Sequence, residues 1–488
     1  MISLSSSKHL QHVIFFLIIL GILWRLLLIQ NFWGWEESDY GNLQMVRGVF
    51  DSGFRSYDMN HMPGYYAVAA LFLFVFSDTV WASVGATFLA GCLAFVISIL
   101  YMQKVAGRIP ALILGILLFF QPEFSLYSAS ALREPLYTAY LIGMLYFLVQ
   151  NQWLPASILA ALSFTVRFEA PVALFPLLIY LLRRKEQNMP MKYILPMLIT
   201  IALWMWYCHE VFGHVLFWEH AGSVNIETGL GEEAPSFYLW LKNGLLVSLE
   251  LFFILLPHRL GWGIFGGLCF SPFILSSTQN TKVLQCIGYG LLLVWLAIAC
   301  IAQHEPQHNL YWKWLYPLIP FLTAIGVLSL WKILEKGNYR YFWIPILMQA
   351  IFSHVVETNR QIERSKELYK PQVELANTLE RQYPTGHLIL DNIPSCWLGR
   401  RSHDMSLTSW FDVPTTTEIE FANWISTNDV DAVLWFAEEW TQAPKVAPFL
   451  QNGGNWKMNT SKIPSSEVEL IEVSRDNSYG WILFKRRR

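Results

Sequence analysis

The chain has 488 residues, of which 54% are hydrophobic, 16% aromatic and 14% charged, against roughly 25% charged in an ordinary soluble domain. That is the composition of a membrane protein, and a formal net charge of -2 leaves no basic excess of the kind that captures nucleic-acid phosphates. The six cysteines, Cys92, Cys208, Cys269, Cys286, Cys300 and Cys396, have no paired spacing, and all but the last lie in or at the ends of apolar runs. They read as apolar packers, which excludes a disulfide framework and a Cys-x-x-Cys metal site.

An apolar run of about 20 residues can cross a bilayer core of roughly 30 Å as a helix, and about eleven such spans are expected here. The first is His12 to Gln30, read as a retained anchor because it is long, carries Arg25 and lacks a small-residue cleavage site. The others fall near 80–102, 110–122, 134–150, 153–167, 170–182, 192–208, 259–277, 283–302, 313–333 and 341–356. Cytoplasmic loops carry the Lys/Arg excess. With the N-terminus inside, Lys104, Arg108, Arg183, Arg184, Lys185, Lys282, Lys332, Lys336 and Arg340 all fall on the inner side. The loops 31–79, 123–133, 209–258 and 303–312 then lie outside, as does the tail from about 358. The run 243–256 is read as an interfacial or re-entrant helix, since an additional span there would put the Lys282 loop on the wrong side.

Between the first two spans, NLQMVRGVF and GYYAVAALFLFVF have helical apolar spacing and suit the membrane interface. They flank or follow WEESDY, residues 35–40, where Glu36, Glu37 and Asp39 crowd together. In a half-dry setting carboxylates take raised pKa values and act as general bases near neutrality; the plainer reading is acids at a helix N-terminus. Arg25 inside a span is uncommon and points to function, with snorkelling as the alternative. From Glu357 the composition turns polar, so the expected fold is an α-helical polytopic membrane region, 1–357, followed by a small α/β domain, 358–488. In that domain QVELANTLERQ and 418–425 read as helices, and 387–390, 430–436, 467–472 and 479–484 as strands.

The motifs, in order, resemble those of the GT-C superfamily of polytopic glycosyltransferases, which contains the protein O-mannosyltransferases and the aminoarabinose transferase. Glu36-Glu37-Ser38-Asp39-Tyr40 is similar to that family's Asp-Glu-x-x-Tyr, with Glu in the leading place. His61-Met62-Pro63-Gly64-Tyr65-Tyr66 resembles its Pro-rich helix entry, with one proline where two are common. SASALREPLYTAY with Arg133 and Glu134, SFTVRFEAP with Arg167 and Glu169, and Lys313-Trp314 before YPLIP resemble its later motifs, Lys313 standing where Arg is usual. The likeness covers about residues 10–335.

The resemblance implies a sugar transferred from a polyprenyl-phosphate donor to a lipid, glycan or protein acceptor at the outer face of a cell membrane. It implies Glu36 or Glu37 as base, with Asp39 and Glu134 assisting or holding a possible divalent metal. Arg25, Arg133, Arg167 and Lys313 would bind donor phosphate, and Tyr40, His61, Glu134 and His308 would contact substrate. Arg167 and Glu169 have the simpler alternative of pairing with each other, and Glu134 that of capping a helix before Pro135.

Two motifs point elsewhere. HEPQH, 304–308, spells a zinc-protease signature, but Pro306 breaks the helix that would put both histidines on one face. Asp429-Val430-Asp431 spells the Asp-x-Asp of nucleotide-sugar enzymes, yet it precedes a strand, where Asp commonly builds a turn. A transporter or flippase of lipid-linked saccharide is the rival of another class. Such proteins show internal repeats and polar breaks at mid-membrane, and this chain shows no repeat.

Overall fold

A computed structural model of the chain describes residues 7–30, 37–52, 62–183, 189–213, 237–275, 279–302, 313–335, 339–390, 394, 397–399, 405–410, 413, 417–436, 443–459, 467–476 and 481–487. The long first helix α1 (Ser7–Gln30) is followed by α2 (Glu37–Ser52) and α3 (Gly64–Phe72), the two amphipathic segments expected before the second span. Then come α4 (Thr79–Ala106), α5 (Arg108–Phe120), the single turn α6 (Pro122–Leu126), α7 (Glu134–Val149), α8 (Trp153–Val166), α9 (Ala170–Arg183) and α10 (Met189–Phe212). Next are α11 (Phe237–Glu250), α12 (Leu256–Leu260), α13 (Trp262–Ile274), α14 (Gln279–Ala302) and α15 (Ile319–Glu335).

Among the described residues, four helices are by themselves long and apolar enough to cross a membrane: His9–Gln30, Thr79–Ala106, Lys242–Leu260 and Asn280–Cys300. α7, α8, α9 and α13 are apolar but only 13 to 16 residues long. The outside is apolar as well: Phe15 and Phe16 on α1, Leu203 and Trp206 on α10 and Phe273 on α13 are all exposed, a surface that lipid accommodates and water does not.

The run read as an interfacial or re-entrant helix is longer than expected. α11 continues through a π-helical turn, Leu251–Leu255, into α12, and this helix packs lengthwise on α14. Gly244 lies against Cys300, and the Ser248 hydroxyl donates to Leu296 O at 3.0 Å. After Gly261, whose φ of 85° suits glycine, α13 continues in the same sense: Ser271 meets Tyr289, and Thr281 donates to Leu275 O at 2.9 Å. Both legs are antiparallel to α14. Within the first leg Lys242–Leu260 is by itself long and apolar enough to cross a membrane, so the segment expected to be interfacial or re-entrant is a candidate span.

α16 (Trp343–Leu368) runs without a break through residue 357, where the composition changes, and leads into α17 (Lys370–Gln382). Beyond it a six-stranded sheet has the order β2-β1-β3-β6-β5-β4, from β1 (His387–Ile389), β2 (Ser406–Thr408), β3 (Ala432–Phe436), β4 (Asn455–Asn459), β5 (Glu467–Asp476) and β6 (Trp481–Arg487). β1 is parallel to β2 and β3, and the other pairings are antiparallel. β2 and β4 are additional to the expected strands. α17 covers one face through Leu375, Ala376 and Leu379. On the other lies α18 (Glu418–Thr427), which starts at a Thr417–Glu420 capping box and buries Phe421, Ala422 and Ile425. The start of this domain rests on the helical region, where Tyr369 and Val373 pack with Leu43, Val80, Val84 and Ala131.

Candidate active site

The site is built around an irregular buried segment, 121–134. α5 stops at Phe120 because Gln121 is extended and Pro122 follows; the Gln121 side chain then caps α6 by accepting from Phe124 N at 2.7 Å. The two helices meet at 77°. Irregular backbone at such depth is stable only if its polar groups are paired. Here Thr87 donates to Leu132 O at 3.0 Å, Asn42 to Ala131 O at 2.9 Å, and Ser128 meets the Tyr316 hydroxyl at 3.0 Å. The segment thus forms a fixed shelf that ends in Arg133 and Glu134, the latter opening α7 ahead of Pro135.

Opposite the shelf, α8 ends because Arg167 is extended. Its guanidinium donates from Nη1 to Glu134 Oε1 at 2.6 Å and from Nη2 to Glu169 Oε1 at 2.9 Å. Its flat face lies over the Trp314 ring, 4.7 Å from the centroid. Arg133 Nε stands 3.8 Å from the same Glu134 oxygen, and half-buried Lys313 precedes Trp314. The second oxygen, Glu134 Oε2, is buried and has no hydrogen-bond partner among the described residues. Glu169 sits in the turn between α8 and α9. Burial alone would raise its carboxyl, but the Arg167 guanidinium outweighs this and holds it below the ordinary carboxylate value. Glu134 and Glu169 together hold the Arg167 guanidinium in a fixed orientation.

Arg167, Glu169, Tyr137 and Trp314 form one side of a narrow cleft of about 30 Å³, and Leu291, Val294 and Ile298 of α14 form the other. A wider groove of about 360 Å³ is lined by Met62, Pro63, Phe164, Thr165, Leu203, Trp204 and Tyr207. It is within the size range of ligand sites and almost wholly apolar. Its Thr165 is two residues from Arg167, and Gly64 at the head of α3 presses so closely on Thr165 that a Cβ there would strike the threonine hydroxyl.

A scan of protein-family models and a search of curated sequences return no match. Solved structures do match. ArnT from Cupriavidus metallidurans in the apo state superimposes with a TM-score of 0.58 at 11% identity, covering 91% of this chain and 92% of that one. The same protein bound to undecaprenyl phosphate gives 0.60 at 10% identity, covering 97% and 98%. The Archaeoglobus fulgidus oligosaccharyltransferase, in complex with Zn and sulfate, gives 0.52 at 12% identity, covering 93% and 74%. The chain has the GT-C fold.

Within this GT-C fold the residues singled out from sequence are distributed unevenly. Arg133, Glu134, Arg167 and Glu169 come together, with Lys313 next to Trp314 beneath them. Arg25 is elsewhere: fully buried, it donates to Gly21 O at 3.0 Å and Phe124 O at 3.4 Å and lies between the Phe95 and Phe124 rings. It braces the α5–α6 bend and is not among the residues lining the cleft. Glu37, Asp39 and Tyr40 belong to the first turn of α2. Glu36, His61, His308 and the whole HEPQH stretch lie outside the described residues. Asp429 and Asp431 are used structurally: Arg486 pairs with Asp429 at 3.1 Å and Asp431 accepts from His387 N at 2.9 Å. Among the described residues no group of three or more His, Cys, Asp or Glu is placed to hold a metal.

Sequence reasoning missed a second buried ion cluster. Arg259 Nη1 lies 3.0 Å from Glu123 Oε1 and 2.9 Å from Glu357 Oε1. Gln361 donates to both carboxylates, and Gln121 donates to Glu123 Oε2 at 2.6 Å. The available signal was one acid, in QPEF, and one base, in LPHRL, each abutting an apolar run, since ionisable groups at membrane depth are rarely idle.

Proposed function

We propose that the chain is a membrane glycosyltransferase that moves a sugar from a polyprenyl-phosphate donor to an acceptor hydroxyl in one inverting displacement. A carboxylate of the acid motif, Glu36, Glu37 or Asp39, takes the acceptor proton. The acceptor oxygen then bonds to the anomeric carbon, while the bond from that carbon to phosphate breaks and polyprenyl phosphate leaves with the electron pair. Charge growing on the phosphate is met by Arg167, Arg133 and Lys313; electrostatic support of this kind is typically worth about 2.7–4 kcal/mol. The observation that carries the reading is Arg167, held in place by two carboxylates and an aromatic face at the edge of a cleft. The apolar groove beside it offers a bed for the lipid chain, and the similar ArnT structure has undecaprenyl phosphate bound.

In this reading residues 1–357 form the catalytic membrane region with the N-terminus inside, and 358–488 form an external domain that shapes access of the acceptor. A cysteine placed at position 37 is then labelled from outside the cell. The experiment that tests the function is mass spectrometry of lipid-linked sugars in a strain lacking the protein. A polyprenyl-phosphate sugar should accumulate and disappear on complementation; an unchanged lipid-linked pool would reject the proposal.

A further inference from the structure

The face of the C-terminal sheet under α17 is covered on one side only. Leu375, Ala376 and Leu379 of α17 pack on Leu388, Ala432 and Leu483, over β1, β3 and part of β6. Side chains alternate between faces along a strand, so Lys485 and Arg487 share the face of Leu483, and the register sets Ile471 of β5 opposite Lys485. This β5 side is open: Val473 is 51% exposed, and Lys485 is exposed as well. Between it and the C-terminal end of α17 lies a groove of about 630 Å³, within the size range of ligand sites.

The groove combines three kinds of surface. Tyr383, Ile471 and Val473 offer apolar area, Gln382 and Asp431 offer hydrogen-bonding groups, and Lys485 and Arg487 offer cations. Arg487 is committed to Glu469 at 3.3 Å, which also takes Lys457 at 3.0 Å. The Lys485 side chain has no ion pair or hydrogen bond among the described residues. The Tyr383 end is held in place: Gly386 N donates to Tyr383 O at 3.2 Å, Asp431 accepts from His387 N at 2.9 Å, and a Cβ on Gly386 would press on both Tyr383 and Asp431. A sugar ring lays its C–H face on apolar or aromatic surface and turns its hydroxyls to carboxylates and amides. An uncommitted cation beside such groups suits a sugar that carries a carboxylate or phosphate. α17 meets the helical region near Tyr369 and Val373, and Tyr383 lies about 15 Å further along the helix axis from Val373. The groove stands away from that contact and is concave, which favours a saccharide over a lipid surface.

We propose that this groove is a saccharide subsite that takes an anionic sugar, with Lys485 pairing its charged group and Tyr383 meeting its ring. That the sugar belongs to the acceptor rests on the transferase reading; the binding itself does not.

The test has two arms on the full-length protein. In the first, protein in phosphatidylcholine nanodiscs is titrated calorimetrically with trigalacturonate and with its methyl ester, which keeps the rings and loses the charge. Wild type should bind trigalacturonate at least about tenfold more tightly than the ester, and Lys485→Glu should weaken trigalacturonate by a similar factor, as loss of one charge-assisted hydrogen bond does. Tyr383→Leu should weaken both sugars alike. Lys445→Glu changes the net charge equally at an exposed position on the α18 side of the sheet and should leave binding unchanged. Equal losses in the two charge reversals, or no binding of trigalacturonate by wild type, would overturn the proposal. So would binding of phosphatidylglycerol vesicles that depends on Lys485 without any affinity for the sugar, since the groove would then be a lipid contact. In the second arm, transfer from a polyprenyl-phosphate sugar is measured in membranes with their own acceptors. Excess trigalacturonate should inhibit wild type and spare Lys485→Glu; binding without inhibition would overturn the assignment to the acceptor. A wild type that transfers no sugar would remove that assignment together with the transferase reading, and the titration would still decide the groove.

Discussion

The helical region contains two buried arginines that look alike on paper and differ in setting. Arg167 and Arg259 each face two carboxylates, Glu134 and Glu169 in one case, Glu123 and Glu357 in the other. Around Arg259 the cluster is closed: Gln121 and Gln361 complete the carboxylates, and His354 Nε2 meets the Arg259 carbonyl at 2.8 Å. It ties α6, α12 and α16 together, and α16 leads to the C-terminal domain. Around Arg167 the cluster is open: it borders a cleft and has Arg133 and Lys313 at its margin. A closed cluster makes a strut. An open one that borders a cleft can receive an anion.

That contrast can be broken by substitution. Arg167→Met should lower sugar transfer about 100- to 1,000-fold, the cost of removing an electrostatic donor to a developing charge. Arg259→Met should destabilise the fold by about 3–5 kcal/mol because two buried carboxylates lose their cation, as Arg167→Met also does at Glu134 and Glu169, but with transfer per folded molecule near that of wild type. Thermal unfolding in nanodiscs beside a transfer assay separates the two; a stable, inactive Arg259→Met protein would mean that the sealed cluster also serves the chemistry. Trp314→Leu removes the face beneath Arg167 and should cost about 0.5–2 kcal/mol of transition-state binding, with Trp314→Phe retaining part of it.

The smallest effect is expected far from both clusters. The hydrogen bond from Lys457, and then Arg487, hold the Glu469 carboxyl below its ordinary value against slight desolvation. A carboxylate held low stabilises above its unfolded value, about 4.3, and that contribution is lost as the pH falls through the folded value. Wild type and Glu469→Gln should therefore differ slightly in unfolding temperature near neutrality and converge in acid. Divergence in acid would contradict the pairing.

The sequence made the broad layout legible because apolar length is a local property: the runs near 80–102 and 283–302 became α4 and α14, and the β-rich runs of the tail became strands. The pairing of Arg167 with Glu169 was readable, being two residues apart. Its pairing with Glu134, 33 residues away, and that of Arg259 with Glu123 depend on how helices pack, which hydropathy does not encode. Arg25 shows the same limit: a cation in a span signals a desolvation cost but not what meets it, here two carbonyls and two rings. The α11–α12 helix reads in sequence as an interfacial segment because a further span there would put the Lys282 loop on the wrong side, a charge argument that carries no information on how Ser248 packs against α14.

The most direct measurement supplies membranes containing wild-type or Arg167→Met protein with a polyprenyl-phosphate sugar labelled in the sugar, and follows polyprenyl phosphate and labelled product together. Wild type should release polyprenyl phosphate in step with sugar leaving the lipid, and Arg167→Met should release little of either. Equal release by both proteins, or a donor that crosses the bilayer intact, would contradict the account.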